Sequence, residues 1–199
     1  MPAFNIAVYL SGGGSNFRAI HHNSLTGELS SSVRLVIAGS AEAGGLLYAE
    51  QHQVPCAVLK RADFSSGAEF AAAQLELLAE HQIDLIVLAG YMKKLSLPVI
   101  RKYKNRILNI HPALLPAFGG KGMYGHFVHE AVIAARAAKS GATVHFVDEI
   151  YDHGKILLQQ EVEVLQEDTP ESLQKKVLAV EHIIYSRAIR QLEKAGINE

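Results

Sequence analysis

Leu108-Asn109-Ile110-His111-Pro112 sets a carboxamide and an imidazole two residues apart at the end of an apolar run. In a strand, side chains alternate between faces, so Asn109 and His111 share one face while Leu108 and Ile110 share the other. Pro112 ends such a strand, because it has no N–H for a ladder and restricts the residue before it. A carboxamide can donate to a developing oxyanion and an imidazole titrates near neutrality, so the pair suits acyl-type transfer. A loop anchor at a strand end would look the same, and only the neighbouring residues can decide between the two.

Three other places could carry chemistry. Ser11-Gly12-Gly13-Gly14-Ser15-Asn16 falls between an apolar run and a helical segment. Its glycines can turn backbone N–H groups toward an anion, and a helix N-terminus adds its positive dipole end. It has neither a Walker lysine nor the G-x-G-x-x-G spacing, which argues against a nucleoside triphosphate or a dinucleotide. The other reading is a tight turn capped by Ser15 or Asn16. The second place is Ile150-Tyr151-Asp152-His153-Gly154, where a carboxylate near His111 would favour its imidazolium form. Asp148, Glu149 and a solvated turn remain alternatives to Asp152. Residues 119–129 hold four glycines, with His126 and His129 at i, i+3, and His145 and His153 follow. That spacing tolerates a metal on a helix, but no cysteine or carboxylate completes a ligand pattern, and a flexible loop feeding a helix is the simpler reading.

These residues need elements to position them. Apolar, β-rich runs at 4–10, 33–39, 55–59, 84–88 and 106–110 alternate with segments of helical spacing, among them 43–52 and 69–81. Ser66 and Glu69 have capping-box spacing. This βαβ series predicts an α/β fold: a Rossmann-like open twisted sheet, mostly parallel, with helices on both faces and ligands at the carboxyl ends of its strands. Beyond a helix around 128–138, runs at 142–147 and 156–164 are joined by 148–155, too short for a crossover helix. An antiparallel hairpin toward the C-terminal part follows. Thr169-Pro170 opens a long helix with Leu173, Val177, Val180 and Ile184 on one face. The expectation is one domain over 1–199, without internal repeats.

The chain's 199 residues, 49% hydrophobic and 20% charged, can bury a sizeable core. A net charge of −1 lacks the basic surplus that phosphate tracking requires, so small molecules rather than nucleic acid are the expected partners. The single cysteine, Cys56, is read as a buried core residue of a reducing compartment. No apolar run approaches the ~18 residues of a membrane span and no signal segment opens the chain, so the expected location is cytoplasmic.

Taken together, S-G-G-G-S-N, L-A-G-Y-M-K-K-L-S, L-N-I-H-P-A-L-L-P, H-F-V-D-E-I-Y-D-H-G-K-I-L-L-Q and E-H-I-I-Y resemble the folate-dependent phosphoribosylglycinamide formyltransferases of purine synthesis. The resemblance covers about 4–190. It implies transfer of a formyl group from 10-formyltetrahydrofolate, the co-substrate, to the amine of phosphoribosylglycinamide, with no metal and as a monomer or homodimer. By position, Asn109 and His111 would be the catalytic amide and imidazole, and Asp152 the carboxylate that supports a His111 imidazolium. Gly14, Ser15 and Asn16 would hold the substrate phosphate, with Leu178, Ala179, Val180 and Glu181 near its sugar and glycinamide end. Met92, Lys93, Lys94, Leu95 and Asn109, with Asp148, Glu149, Ile150, Tyr151 and Asp152, would line the folate pocket. Residues 1–100 would form the phosphate-binding half and 101–199 the catalytic and folate-binding half. Two departures stand out: Gly67 occupies a position where an arginine is expected to meet the folate, and the 119–129 loop is longer, with His129 in register with a family histidine. A formyltetrahydrofolate hydrolase would carry an extra N-terminal domain and a methionyl-tRNA formyltransferase an extra C-terminal one. A phosphosugar-binding module would use only 12–16 and be indifferent to His111.

Overall fold

The computed structural model describes residues 3–196. Strands β1 (Asn5–Leu10), β2 (Ser32–Ala38), β3 (Cys56–Val58), β4 (Leu85–Leu88) and β5 (Ile107–His111) alternate with helices α1 (Ser15–Leu25), α2 (Gly44–Gln51), α3 (Gly67–Glu80) and α4 (Leu97–Lys102). Helix α5 (His126–Ala134), strands β6 (Lys139–Phe146) and β7 (Ile156–Glu163), and helix α6 (Pro170–Ala195) complete the chain. The strands form one sheet in the order β3-β2-β1-β4-β5-β6-β7. Pairing is parallel from β3 to β5 and antiparallel for β5 with β6 and β6 with β7. The order reverses between β1 and β4, and the loops leaving their carboxyl ends diverge there to open a crevice.

Alternation along each strand divides the apolar residues between two cores. Ile6, Val8 and Leu10 of β1, with Leu85 and Val87 of β4, pack on one face against Phe17 and Ile20 of α1 and Val177, Ile184 and Ala188 of α6. Ala7 and Tyr9, with Ile86 and Leu88, pack on the other face against Leu78 of α3 and Val99 and Ile100 of α4. Burying each such aliphatic side chain contributes about 1.5–3 kcal/mol, enough to hold both layers on the sheet. The helices therefore cover both faces, as the sequence pattern predicts.

Local signals hold with adjustments. Thr169 caps α6 through a reciprocal pair with Ser172, and Pro170 occupies its first turn. Ser66 caps α3 by accepting from the Glu69 amide, but the Glu69 carboxylate turns back to the Ser65 amide, 2.8 Å away. Helix α5 stops at Ala134, short of the expected 138, because β6 begins at Lys139, three residues before the expected start, to pair with Glu163 of β7. Cys56 is exposed, not buried: β3 is an edge strand of three residues, with a neighbour on one side only.

The β6–β7 connection is tight. A Cβ added at Gly154 would lie 1.8 Å from the Phe146 carbonyl oxygen, so only glycine lets the turn close over β6. Gly154→Ala should lower the unfolding free energy by about 1–3 kcal/mol, read from urea denaturation; an unchanged midpoint would contradict this close approach.

Candidate active site

A cavity of about 690 Å³ opens at the carboxyl ends of β1, β4 and β5. Strand β5 lies at the change of pairing: Asn109 aligns with Leu88 of parallel β4 on one side and with His145 of antiparallel β6 on the other. His111 aligns with Thr143. The Thr143 hydroxyl donates to the Ala113 carbonyl and accepts from the Leu115 amide, folding the segment after Pro112 back onto β6. That fold brings the Phe118 carbonyl to 2.8 Å from His111 Nε2.

Carbonyl oxygens only accept, so these contacts assign the ring protons. His111 carries its proton on Nε2, facing Phe118, and its Nδ1 lies 3.6 Å from Asp152 Oδ2. His145 Nδ1 donates to the Phe146 carbonyl at 2.8 Å, which leaves Nε2 to accept from the Asn109 amide at 3.1 Å. His145 Nε2 also faces Asp152 Oδ1 at 3.6 Å. The carboxylate thus stands between two imidazoles, beyond direct hydrogen-bond reach of either. It is pinned by the Gly120 amide at 2.9 Å and by its own backbone, which adopts φ 54°. Asp tolerates that left-handed conformation better than most residues.

The electrostatics oppose one another. Burial is the largest influence on His111 and holds its pKa below the ordinary imidazole value, although Asp152 and the Phe118 carbonyl push it upward. The unliganded site therefore favours the neutral ring, and the protonated state expected from the sequence needs developing negative charge beside it. Burial would raise the Asp152 carboxyl, but His145, the Gly120 amide and His111 outweigh it and keep the group ionised.

At one end of the cavity, Gly14 (φ 72°) is the N-cap of α1, and neither Ser15 nor Asn16 caps the helix with its side chain. The capping alternative fails there because Asn16 is drawn instead to α6, where its amide donates to Glu181 Oε2 at 2.6 Å. No acidic residue stands in the first turn of α1. Met92 and Leu95 line the same cavity as the 148–152 turn, whose Asp148 is bonded to the Ile150 amide and to His153. Lys93 turns its ammonium to the Gly39 carbonyl at 2.9 Å, and the Lys94 ammonium lies over the Tyr151 ring. Gly67, where an arginine is expected, opens α3 outside the cavity wall, and Arg61 Nη2 lies 3.8 Å from a Cβ built there.

The expected site residues all line this cavity except Ala179 and Val180. Helical spacing sends Leu178 and Glu181 inward, leaves Ala179 exposed and packs Val180 against the core. Sequence reasoning missed His145 and Gln174. His145 becomes visible only from the β5–β6 register, whereas Gln174 lies one helical turn before Leu178 on the same stripe. His126 and His129 separate: the first faces Glu130 and Glu171 at the surface, and the second enters the cavity wall. Among the described residues no group of three or more His, Cys, Asp or Glu is placed to hold a metal, and no helix is long and apolar enough to cross a membrane.

An open α/β sheet with an amide, two imidazoles and a carboxylate at its strand ends has the donors and proton acceptors that acyl-type group transfer uses. A sequence profile described as formyl transferase matches residues 4–189, and the chain belongs to that family. It is 43% identical over 185 residues to the chloroplastic phosphoribosylglycinamide formyltransferase of Arabidopsis thaliana, covering 92% of this chain and 63% of that protein. It therefore spans about three-fifths of the plant relative's length. It is 38% identical to the phosphoribosylglycinamide formyltransferase of Haemophilus influenzae, covering 93% of this chain and 85% of the other. The crystal structure of glycinamide ribonucleotide transformylase 1 from Symbiobacterium toebii superposes with a TM-score of 0.91 at 38% identity, over 97% of this chain and 89% of that one.

Glu181 offers a test of the site's electrostatics. Burial raises its pKa from 4.5 to about 7, against the opposing bond from Asn16. A carboxyl whose folded pKa is raised contributes stability that is full below 4.5 and is lost as pH rises through about 7. Glu181→Gln should remove that loss, so its unfolding free energy should gain on the wild type by on the order of 3 kcal/mol between pH 4.5 and 8. Parallel pH curves for the two proteins would show that Glu181 is ionised in the folded state.

Proposed function

We propose that the chain is a phosphoribosylglycinamide formyltransferase of purine biosynthesis that takes its formyl group from 10-formyltetrahydrofolate. The carrying observation is that Asn109, His111 and Asp152 line one cavity together with the open N-terminus of α1 and with Met92 and Leu95. Family membership and the names of the relatives support the same reading.

In this reading the α1 amides at Gly14, Ser15 and Asn16 receive the phosphate. Leu178 and Glu181 meet the sugar and glycinamide, and residues 92–95 with 148–152 enclose the folate. The chain acts as one domain: its first hundred residues grip the phosphate, the rest supply the chemistry, and folate contacts come from both. As the substrate amine adds to the formyl carbon, Asn109 donates its second amide hydrogen to the carbonyl oxygen that gains charge. His111 Nδ1 accepts the proton shed by the amine, and the resulting imidazolium is stabilised by Asp152 and the Phe118 carbonyl and in turn stabilises the oxyanion. His111 then returns the proton to the departing N10 as the carbon–nitrogen bond breaks, leaving tetrahydrofolate and the formylated amine.

A spectrophotometric assay with both substrates tests the activity; tetrahydrofolate release no faster than the water background would sink it. Asp152→Asn should lower kcat by about 10²–10³-fold while leaving the Kd for phosphoribosylglycinamide within roughly twofold. Equal turnover in that variant would remove Asp152 from the mechanism. His145→Leu should lower kcat by about tenfold through loss of the Asn109 contact, measured as the same initial rate.

A further inference from the structure

His129 takes no part in that scheme, yet its ring forms part of the cavity wall with Asn109, His111 and Glu181. It is 2% exposed, and its Nδ1 is sealed from solvent without a hydrogen-bond partner among the described residues, so Nε2 is the ring nitrogen left with surface to meet a ligand. Buried histidines ordinarily commit a nitrogen to a carbonyl or carboxylate. His111 and His145 both do so.

Its place on α5 is specific. His126, three residues earlier, points outward to Glu130 and Glu171 at 3.2 and 3.6 Å. His129 turns inward beside Val128 and Val132, both completely buried. A hydrocarbon side chain would suit that wall without leaving a polar atom unmatched. Burial, reinforced by His126 and His111, lowers its pKa to about 4, so the ring is neutral at physiological pH.

A neutral imidazole presents one N–H and one lone pair. The attacking group in formyl transfer is an amine that must keep its own lone pair free. A carboxylate draws the ammonium form and holds its proton, which removes the nucleophile, whereas an uncharged acceptor takes an N–H without that bias. The buried carboxyl groups nearby already have donors: Asp152 the Gly120 amide, Glu181 the Asn16 amide. We infer that His129 positions the attacking amine, its Nε2 accepting one N–H of the glycinamide end so that the amine lone pair turns toward the formyl carbon beside Asn109 and His111. This assignment rests on the formyl-transfer reading.

The test compares the wild type with His129→Leu, which removes both nitrogens, and His129→Gln, which restores a polar group near Nε2. The leucine variant should raise KM for phosphoribosylglycinamide by about tenfold and leave KM for 10-formyltetrahydrofolate unmoved, and the glutamine variant should recover part of the lost affinity. A merely structural role would shift both KM values together, without rescue. In the ¹⁵N-histidine spectrum of the wild type, the neutral His129 signal should move on saturation with phosphoribosylglycinamide alone; this measurement stands even if the leucine variant does not fold. An unmoved signal, or a folded leucine variant with unchanged KM for the amine substrate, overturns the assignment and leaves formyl transfer intact. Failure of the wild type to transfer formyl at all overturns both.

Discussion

The Asp152 carboxylate is the constraint on which the site depends. A half-buried anion is unfavourable unless fixed dipoles and partner charges compensate it, and here three groups from three segments converge on it. His111 comes from β5, His145 from β6 and the Gly120 amide from the loop before α5. The Gly120 amide donates to the carboxylate, and the two imidazoles stand 3.6 Å from it, close enough to feel its charge. The strand change from parallel to antiparallel pairing at β5 is what makes this convergence feasible, because it turns β6 back so that His145 stands opposite Asn109. The β6–β7 turn then returns Asp152 to the same end of the sheet, and Gly154 allows that turn to close against the Phe146 carbonyl.

The same cluster explains why the site is poised and not permanently charged. Burial suppresses the His111 imidazolium, while Asp152 and the Phe118 carbonyl favour it. A group balanced in this way takes a proton when negative charge appears beside it and releases it when that charge disperses, which is the behaviour a transfer reaction needs. His145, tied to the Phe146 carbonyl, stays in one tautomer and keeps the Asn109 amide turned to a fixed direction.

Helix α6 joins the two halves of the sheet. The Tyr185 hydroxyl lies 2.9 Å from the Leu88 carbonyl and 3.1 Å from the Leu108 carbonyl, bracing β4 and β5 just where Asn109 emerges. Glu181, one turn earlier, reaches Asn16 at the start of α1. Toward the helix end, Glu193 accepts from the Ser31 amide before β2. One element thus sets the distance between the glycine-rich end of the cavity and the amide–imidazole centre, and its apolar stripe is the source of that rigidity.

Much of this was legible in the residues themselves. The β-rich runs and helical periods determine the alternation of elements, since burial of apolar stripes and faces is a local property of spacing. Asn109-x-His111 determines that the two groups share a face, and the Thr169-Pro170 pair determines where α6 begins. Other features depend on contacts between segments far apart in the chain. The pairing of His145 with Asn109, the priority of Asp152 over Asp148, the exposure of Cys56 on an edge strand, and the inward turn of His129 opposite an outward His126 all follow from sheet order, register and helix docking. The reason is physical: periodicity says which side chains lie together along one element, but a partner, a neighbouring charge and exclusion from water come from other elements. The tertiary structure alone decided which imidazole burial keeps neutral, which carboxylate stands between two imidazoles and which buried ring nitrogen is left without a partner among the described residues.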